Sequence, residues 1–204
     1  MSPEVCWHIE NILQKCAVRD RILEVGAVAA PDDLIRMHCL QSAKLRVGIG
    51  NSCQDRLVEG IQYFKKNAND LSCFKKASFD LVLCNSMLEH DPLFWKTIIE
   101  INRVLAPGGT LIIGVPSFEG MGLKYIFPSN SVIAKFLKII IGIFKLNYLK
   151  ASTLTLGVHA YPEDYYRFSA AAVRDVFFKD YEQVTLSKVM MPPRIVATGI
   201  RKND

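Results

Sequence analysis

The sequence lacks the cysteine spacing of a zinc site and of a small disulfide-bonded secreted domain. None of its cysteines forms a Cys-x-x-Cys pair, and they stand at Cys6, Cys16, Cys39, Cys53, Cys73 and Cys84. Half of the residues are hydrophobic, so the chain can bury a sizeable core without covalent cross-links. We therefore expect no bound metal and reduced cysteines, as in a cytoplasm.

The sequence also has no dense block of positive charge, although its net charge is +5. Lysines and arginines do not cluster with aromatic residues, which argues against nucleic acid as a partner. The first residues, Met1 to Glu4, do not begin a basic segment followed by an apolar stretch. We therefore expect no signal peptide and a cytoplasmic location.

The most informative segment runs from Phe79 to Pro116. Two apolar strands, 79–84 and 110–115, are predicted on either side of a helix over about 92–104, for which Asp91 is the predicted N-cap. Apolar strands separated by a helix are typical of a parallel sheet that is covered on both faces. Ligands bind at the carboxyl ends of such strands, so residues 85–91 are the expected functional edge.

The rest of the chain continues this alternation of helices and strands. Patterning predicts helices over 4–18, 31–40 and 169–178, the last with Ser169 as its N-cap, and strands over 21–25, 44–49, 60–65, 184–189 and 195–200. The last two strands are joined by Pro192-Pro193, which predicts an antiparallel hairpin. We therefore expect a single α/β domain over 1–204, doubly wound around a mostly parallel seven-stranded sheet, with a helical lid inserted at about 117–158.

The amino-acid sequence of the central segment resembles the class I S-adenosylmethionine-dependent methyltransferases of type 11. Phe79 to His90 reads FDxVxxxxxxEH, and Arg103 to Gly109 reads RVLxPGG. The resemblance covers about residues 20–201 apart from the lid. It implies a Rossmann-like fold, S-adenosylmethionine as cofactor, and O- or N-methylation of a small-molecule or glycan-type acceptor.

The family's first cofactor motif is only partly present after the first strand. Glu24 and Gly26 match the pattern ExGxGxG, whereas Val28 and Ala30 stand at its other glycine positions. Glycines there let the backbone approach a ligand closely. By resemblance, Glu24, Gly26 and Ala27 are predicted to bind the cofactor; the other reading is a tight turn at a strand end.

The later cofactor motifs are also altered. Gly50 stands where the family has a ribose-binding acid, and Asn51 follows it. An Asn67-Ala68 pair replaces the family's Asp-Ala, with Asp70 as the alternative if the loop is aligned differently. The resemblance predicts that the cofactor also contacts Asn51, Asn67, Ala68, Asn85 and Met87.

Two histidines are candidates for removing a proton from the acceptor. His90 follows the fourth strand, and His159 opens an H-x-x-P-x-D-Y-x-R-F segment that is similar to bacterial methyltransferases linked to surface-glycan biosynthesis. Imidazole titrates near neutral pH and suits a catalytic base. The alternative is that His90 only orders its turn and that Glu89 is a carboxylate at a helix start.

The same segment supplies the candidate substrate-binding residues, Tyr161, Tyr166 and Arg167. A guanidinium suits a carboxylate or phosphate, and tyrosines can form walls or donate hydrogen bonds. The alternative is a loop clamp in which Asp164 pairs with Arg167.

Residues 131–150 combine lysines on one arc with an otherwise apolar surface. The lysines interrupt the span, so it cannot cross a bilayer. Three interpretations remain: a lid packed on the sheet, a peripheral contact with the inner face of a membrane, or a homodimer contact.

Two functions of different class therefore compete. One is methyl transfer, and the other is a catalytically inactive methyltransferase-fold binding module associated with a membrane or partner. A nicotinamide-dependent oxidoreductase is disfavoured, because both the GxGxxG fingerprint and its following acid are missing.

Overall fold

The computed structural model describes residues 2–16, 20–118, 163–190 and 192–203. The predicted lid beyond residue 118, the segment 131–150, His159 and Tyr161 lie outside the described residues, and the predictions made for them stay predictions. Among the described residues, no helix is long and apolar enough to cross a membrane.

The described helices and strands follow the predicted order closely. The helices are α1 (Pro3–Lys15), α2 (Phe94–Val104) and α3 (Ala170–Ala172), which continues as a π-helical turn over Val173–Phe177. The strands are β1 (Arg21–Val25), β2 (Leu45–Gly50), β3 (Arg56–Val58), β4 (Ile61–Lys65), β5 (Phe79–Asn85), β6 (Leu105–Pro116), β7 (Tyr181–Val189) and β8 (Arg194–Arg201).

The strands form one sheet in the order β3-β4-β2-β1-β5-β6-β8-β7. The five central strands β4, β2, β1, β5 and β6 are parallel, and β8 and β7 close the sheet as the predicted antiparallel hairpin. The doubly wound α/β prediction is therefore confirmed. The order reverses at β1, where a ligand crevice opens at the carboxyl ends of β1 and β5.

The predicted strand count was wrong, because the sheet has eight strands rather than seven. The additional strand is β3, which pairs antiparallel with β4 at the edge of the sheet. Arg56 and Leu57 are exposed there, so this three-residue strand has no buried apolar pattern that the sequence could have revealed.

The predicted helix over 31–40 is also wrong. The segment forms two short 3-10 turns, Leu34–Arg36 and His38–Leu40, on either side of Met37. Met37 has an extended ψ of 139°, which ends the first turn. The first turn starts instead on Glu24, whose carboxyl accepts hydrogen bonds from the backbone N–H groups of Leu34 and Ile35.

Helix termini differ from the prediction at one position and agree at another. Asp91 lies three residues before Phe94 and accepts a hydrogen bond from Leu93 N at 2.9 Å, so it forms a turn ahead of α2 and is not its N-cap. Ser169 caps α3 as predicted, since its Oγ accepts from Ala172 N at 3.0 Å.

The core lies on both faces of the sheet, and alternate strand residues divide between the two faces. On one face Leu23, Val82 and Leu111 pack with α2 and α3. On the other face Ile22 and Leu81 pack with α1 and the 3-10 turns. The two buried faces position the carboxyl ends of the parallel strands rigidly at one edge.

Ile101 and Ile99 lie on opposite sides of α2, which gives a matched test of this packing. Ile101 is fully buried, whereas Ile99 is 62% exposed. Ile101→Ala should lower the free energy of unfolding by about 2 to 5 kcal/mol, because it leaves a cavity in the core. Ile99→Ala should change it by less than about 0.5 kcal/mol. Urea denaturation of both variants measures the difference, and equal effects would contradict this packing.

Candidate functional site

A cavity of about 540 Å³ opens at the carboxyl ends of β1, β5 and β6. Strand β8 runs antiparallel, so its first residue reaches the same edge. The cavity is lined by Ser2, Val5, Glu24, Gly26, Val28, Asp32, Asp33, Asn85, Ser86, Pro116, Ser117, Arg167, Met190, Pro192, Pro193 and Arg194. Its volume is in the range of small-molecule and cofactor sites.

Gly26 forms the first turn after β1 and requires glycine. Its φ is +93°, and a Cβ atom there would lie 2.6 Å from Cβ of Met87. The N–H groups of Gly26 and Ala27 both donate to Ile49 O at 2.9 Å. The first turn is therefore fixed against the ends of β5 and β2 at once.

The same turn explains why Gly50 replaces the family's acid. A Cβ atom on Gly50 would lie 2.1 Å from the backbone oxygen of Ala27. The thiol of Cys53 donates to that same oxygen at 3.1 Å. An acidic side chain at position 50 does not fit, because the backbone of the first turn occupies its place.

The remaining cofactor candidates fall into two groups. Ala27 and Met87 support the Gly26 turn without lining the cavity. Asn51, Asn67 and Ala68 do not line the cavity either, and Oδ1 of Asn67 accepts a hydrogen bond from Asn69 N. The alternative, Asp70, accepts from Ser72 N. A cofactor role for these residues stays a prediction.

Glu24 is a buried acid at the end of β1. Burial and the charge of Asp33 together raise its pKa to about 8, against the opposing effect of the N–H donors of Ile35 and Leu34. Asp33 is also buried, and its carboxylate accepts from the N–H groups of Val28 and Ala30. The two carboxyl groups thus hold the loop after β1 by its backbone, and Asp33 gives this wall of the cavity a negative charge.

At the end of β5, Asn85 and Ser86 face the cavity. Nδ2 of Asn85 donates to Oγ of Ser86 at 3.1 Å, and Oδ1 of Asn85 has no hydrogen-bond partner in the described chain. Ser86 has a φ of +53°, unusual for a residue with a side chain, and its Oγ also accepts from Arg194. Sharp turns of this kind place polar groups at a ligand site.

His90 does not line the cavity. Its Nδ1 lies 3.2 Å from Glu163 O, and the backbone oxygen of Glu89 accepts from the N–H groups of Tyr165 and Tyr166. The turn at 88–90 therefore holds the start of the 163–168 segment, which favours the ordering role for His90. Its role as a catalytic base stays a prediction.

Arg167 lines the cavity, and the predicted clamp with Asp164 is present. Both carboxylate oxygens of Asp164 accept from the guanidinium at 2.5 Å. Tyr166 lies outside the lining, where its hydroxyl donates to Pro92 O and its ring packs edge-on against Phe94. Arg167 thus serves as a paired cation in the wall, and Tyr166 as part of the packing behind it.

Sequence reasoning missed several residues of the site, chiefly Asp33, Ser86 and Arg194. Arg194 follows Pro192-Pro193, a pair that by itself predicts only a hairpin connection. The signal available was an arginine that opens an otherwise buried strand. In the described ranges, no cluster of three or more His, Cys, Asp or Glu side chains could hold a metal ion.

Comparison with known proteins agrees with this geometry. A family model described as a methyltransferase domain matches residues 39–113. No curated protein matches the sequence significantly.

Among solved structures, a SAM-dependent methyltransferase from Thermotoga maritima is 16% identical, with a TM-score of 0.56 over 95% of this chain and 87% of that one. The N-methyltransferase NodS from Bradyrhizobium japonicum, in complex with S-adenosylhomocysteine, is 12% identical, with a TM-score of 0.57 over 98% and 86%. The 1,6-didemethyltoxoflavin-N1-methyltransferase from Burkholderia thailandensis is 15% identical, with a TM-score of 0.60 over 97% and 76%. The family model thus matches residues 39–113 to a methyltransferase domain, and the solved structures share the fold of this chain.

Restoring the family's acid should damage this protein. Gly50→Asp should lower the free energy of unfolding by about 1 to 3 kcal/mol, because the new side chain displaces the backbone of Ala27. Asn51→Asp adds the same charge at an exposed neighbour and should change it by less than about 0.5 kcal/mol. Chemical denaturation measures both variants. A Gly50→Asp protein as stable as wild type would contradict the described first turn.

Glu24 should make stability depend on pH in a defined direction. Its folded-state pKa of about 8 lies above the ordinary carboxyl value, so the folded state binds the proton more tightly than the unfolded state. This contribution is complete below about pH 4.5 and is lost as the pH rises towards 8. Glu24→Gln should therefore flatten the fall in unfolding free energy between pH 5 and 8, measured by denaturation at several pH values. An identical slope in the variant would refute the shift.

Proposed function

We propose that this chain transfers the methyl group of S-adenosylmethionine to nitrogen or oxygen of a small-molecule or glycan-type acceptor. The observation that carries the proposal is the cavity at the reversal point of the sheet, where Gly26 and Asn85 meet. It lies at the edge where ligands bind in doubly wound sheets. The match to a methyltransferase domain supports the same reading.

The described residues fit the amino-acid end of the cofactor. Gly26 and Asn85 both line the cavity at the ends of β1 and β5, and the amide oxygen of Asn85 has no hydrogen-bond partner in the described chain. The ribose end is different, because Gly50 bears no carboxylate and the space beside it does not admit an acidic side chain. We therefore infer that the adenosine is held without the acid that its ribose meets in the family pattern.

The contribution of the chain is positioning. S-adenosylmethionine supplies an activated methyl group, and alignment of an acceptor with that group accounts for much of the rate in such reactions. Pro116, Ser117 and Arg167 bound the cavity beyond Asn85 and form the proposed acceptor side. A hydroxyl acceptor would also need a base, for which His159 and His90 are the predicted candidates.

The acceptor class rests on the 159–168 segment and its similarity to bacterial enzymes of surface-glycan biosynthesis. Arg167 of that segment lies in the cavity wall, which is consistent with a polar acceptor. A peripheral membrane contact through residues 131–150 would suit an acceptor carried on a lipid. The same proposal includes this membrane contact, a homodimer and a cytoplasmic location. It also includes the absence of a nucleic-acid partner.

A second candidate is a methyltransferase-fold binding module without catalysis. The backbone of Ala27 against Gly50, where the ribose acid would stand, favours it. The side chain of Val28 argues against the binding module, because this side chain is 51% exposed at the cavity and does not fill the first turn. Cofactor binding separates the two candidates.

Calorimetric titration with S-adenosylhomocysteine tests the proposal. The wild type should bind it in the micromolar range, and Asn85→Ala should weaken binding by about tenfold through loss of a polar contact. Asn11→Ala, an amide removed from α1 outside the cavity lining, is the matched control and should bind as the wild type does. Absence of binding at millimolar ligand would favour the binding module.

A further inference from the structure

The β8 wall of the cavity carries a buried arginine that the proposed function has not yet used. Arg194 opens β8, and its side chain is only 11% exposed while still lining the cavity. Burial of a guanidinium costs free energy unless the charge is paired and its N–H groups are bonded. The partners of Arg194 therefore indicate what the cavity is built to hold.

Both partners of Arg194 contact the same nitrogen of its guanidinium, Nη2. Nη2 donates to Ser86 Oγ at 2.7 Å and lies 3.5 Å from Glu89 Oε1. The second distance is at the outer limit of a hydrogen bond. Nε and Nη1 of Arg194 make no hydrogen bond to any of the described residues.

Glu89 is a weak counter-charge for Arg194. Its side chain is 1% exposed, and burial raises the pKa of this carboxyl while Arg194 lowers it. Its Oε2 has no hydrogen-bond partner in the described chain. Since burial favours the neutral form of a carboxyl that has one oxygen without a donor, the charge of Arg194 is only partly compensated.

The other charges of the cavity do not neutralise Arg194 either. Asp164 is engaged by Arg167 through both of its oxygens. Glu24 and Asp33 lie on the wall formed by β1 and its loop, where they accept backbone N–H groups. The cavity is therefore acidic at β1 and basic at β8, which suits a ligand carrying a carboxylate at the β8 side.

We propose that Arg194, held in place by Ser86, binds a carboxylate of the ligand through Nη1, whose N–H groups have no partner among the described residues. A hydrogen bond between a guanidinium and a carboxylate is charge-assisted, and such pairs are strong when partly buried. The carboxylate has two sources that rest on the proposed function: the amino-acid end of S-adenosylmethionine, or an acid group on the acceptor.

The first arm compares two ligands that differ in the carboxylate. S-adenosylhomocysteine carries the amino-acid end, and 5′-methylthioadenosine lacks it. Arg194→Gln should weaken S-adenosylhomocysteine by about 10- to 100-fold and change 5′-methylthioadenosine by less than about twofold. Arg194→Lys keeps the charge but not the planar guanidinium, so its affinity for S-adenosylhomocysteine should fall between those of the wild type and Arg194→Gln. Ser86→Ala should weaken S-adenosylhomocysteine binding by less than Arg194→Gln does.

The second arm identifies an acceptor carboxylate. If Arg194→Gln leaves S-adenosylhomocysteine binding unchanged, the ligand-saturated protein is titrated with benzoate and, separately, with uncharged benzamide. A shift of the Arg194 Nε–H nuclear magnetic resonance signal by benzoate alone supports the acceptor as the source. Should the wild type bind no S-adenosylhomocysteine, the proposed function fails, and benzoate titration of the free protein still tests the carboxylate site.

Arg174→Gln is the matched control, because Arg174 is exposed and outside the cavity lining. Thermal unfolding of each variant reports whether it folds. If Arg194→Gln does not fold, the binding measurements on Arg194→Lys test the proposal instead. Equal loss of both nucleoside ligands in Arg194→Gln would assign a purely structural role. That result, or the absence of an effect in both arms, would overturn the proposal.

Discussion

The whole site depends on one backbone contact, between the first turn after β1 and the end of β2. Gly26 and Ala27 donate to Ile49 O, and the oxygen of Ala27 fills the space where Gly50 would carry a side chain. Both strands end in a rigid buried sheet, so this contact fixes the loop on which the acids of the cavity wall stand. It also removes the usual place for a ribose-binding acid.

The proposed cofactor site therefore differs at its two ends. At the proposed amino-acid end, Gly26, Asn85 and Ser86 line the cavity. At the proposed ribose end, the backbone of the loop takes the position of a side chain. Asp33 on the β1 side and Arg194 on the β8 side give the cavity opposite charges, a distribution that would favour ligands with a carboxylate beside Arg194.

How much the sequence could predict follows from the range of each interaction. Strand β1 was predicted with its observed bounds, and Asn85 and Gly26 were placed at the functional edge, because apolar runs and glycine turns are local signals. The failed helix over 31–40 depends on the carboxyl of Glu24, ten residues away, capturing backbone N–H groups. Arg194 joins Ser86 from a strand 108 residues distant, a pairing that one sequence without an alignment does not reveal.

The most direct measurement is a crystal structure of the protein with S-adenosylhomocysteine. The account predicts the amino-acid end of the ligand between Gly26 and Ser86, with Ala27 still bonded to Ile49 and Gly50 untouched by the ribose hydroxyls. Ligand bound with the 26–33 loop lifted from Gly50, and its ribose in that space, would contradict it. So would ligand bound away from the carboxyl ends of β1 and β5.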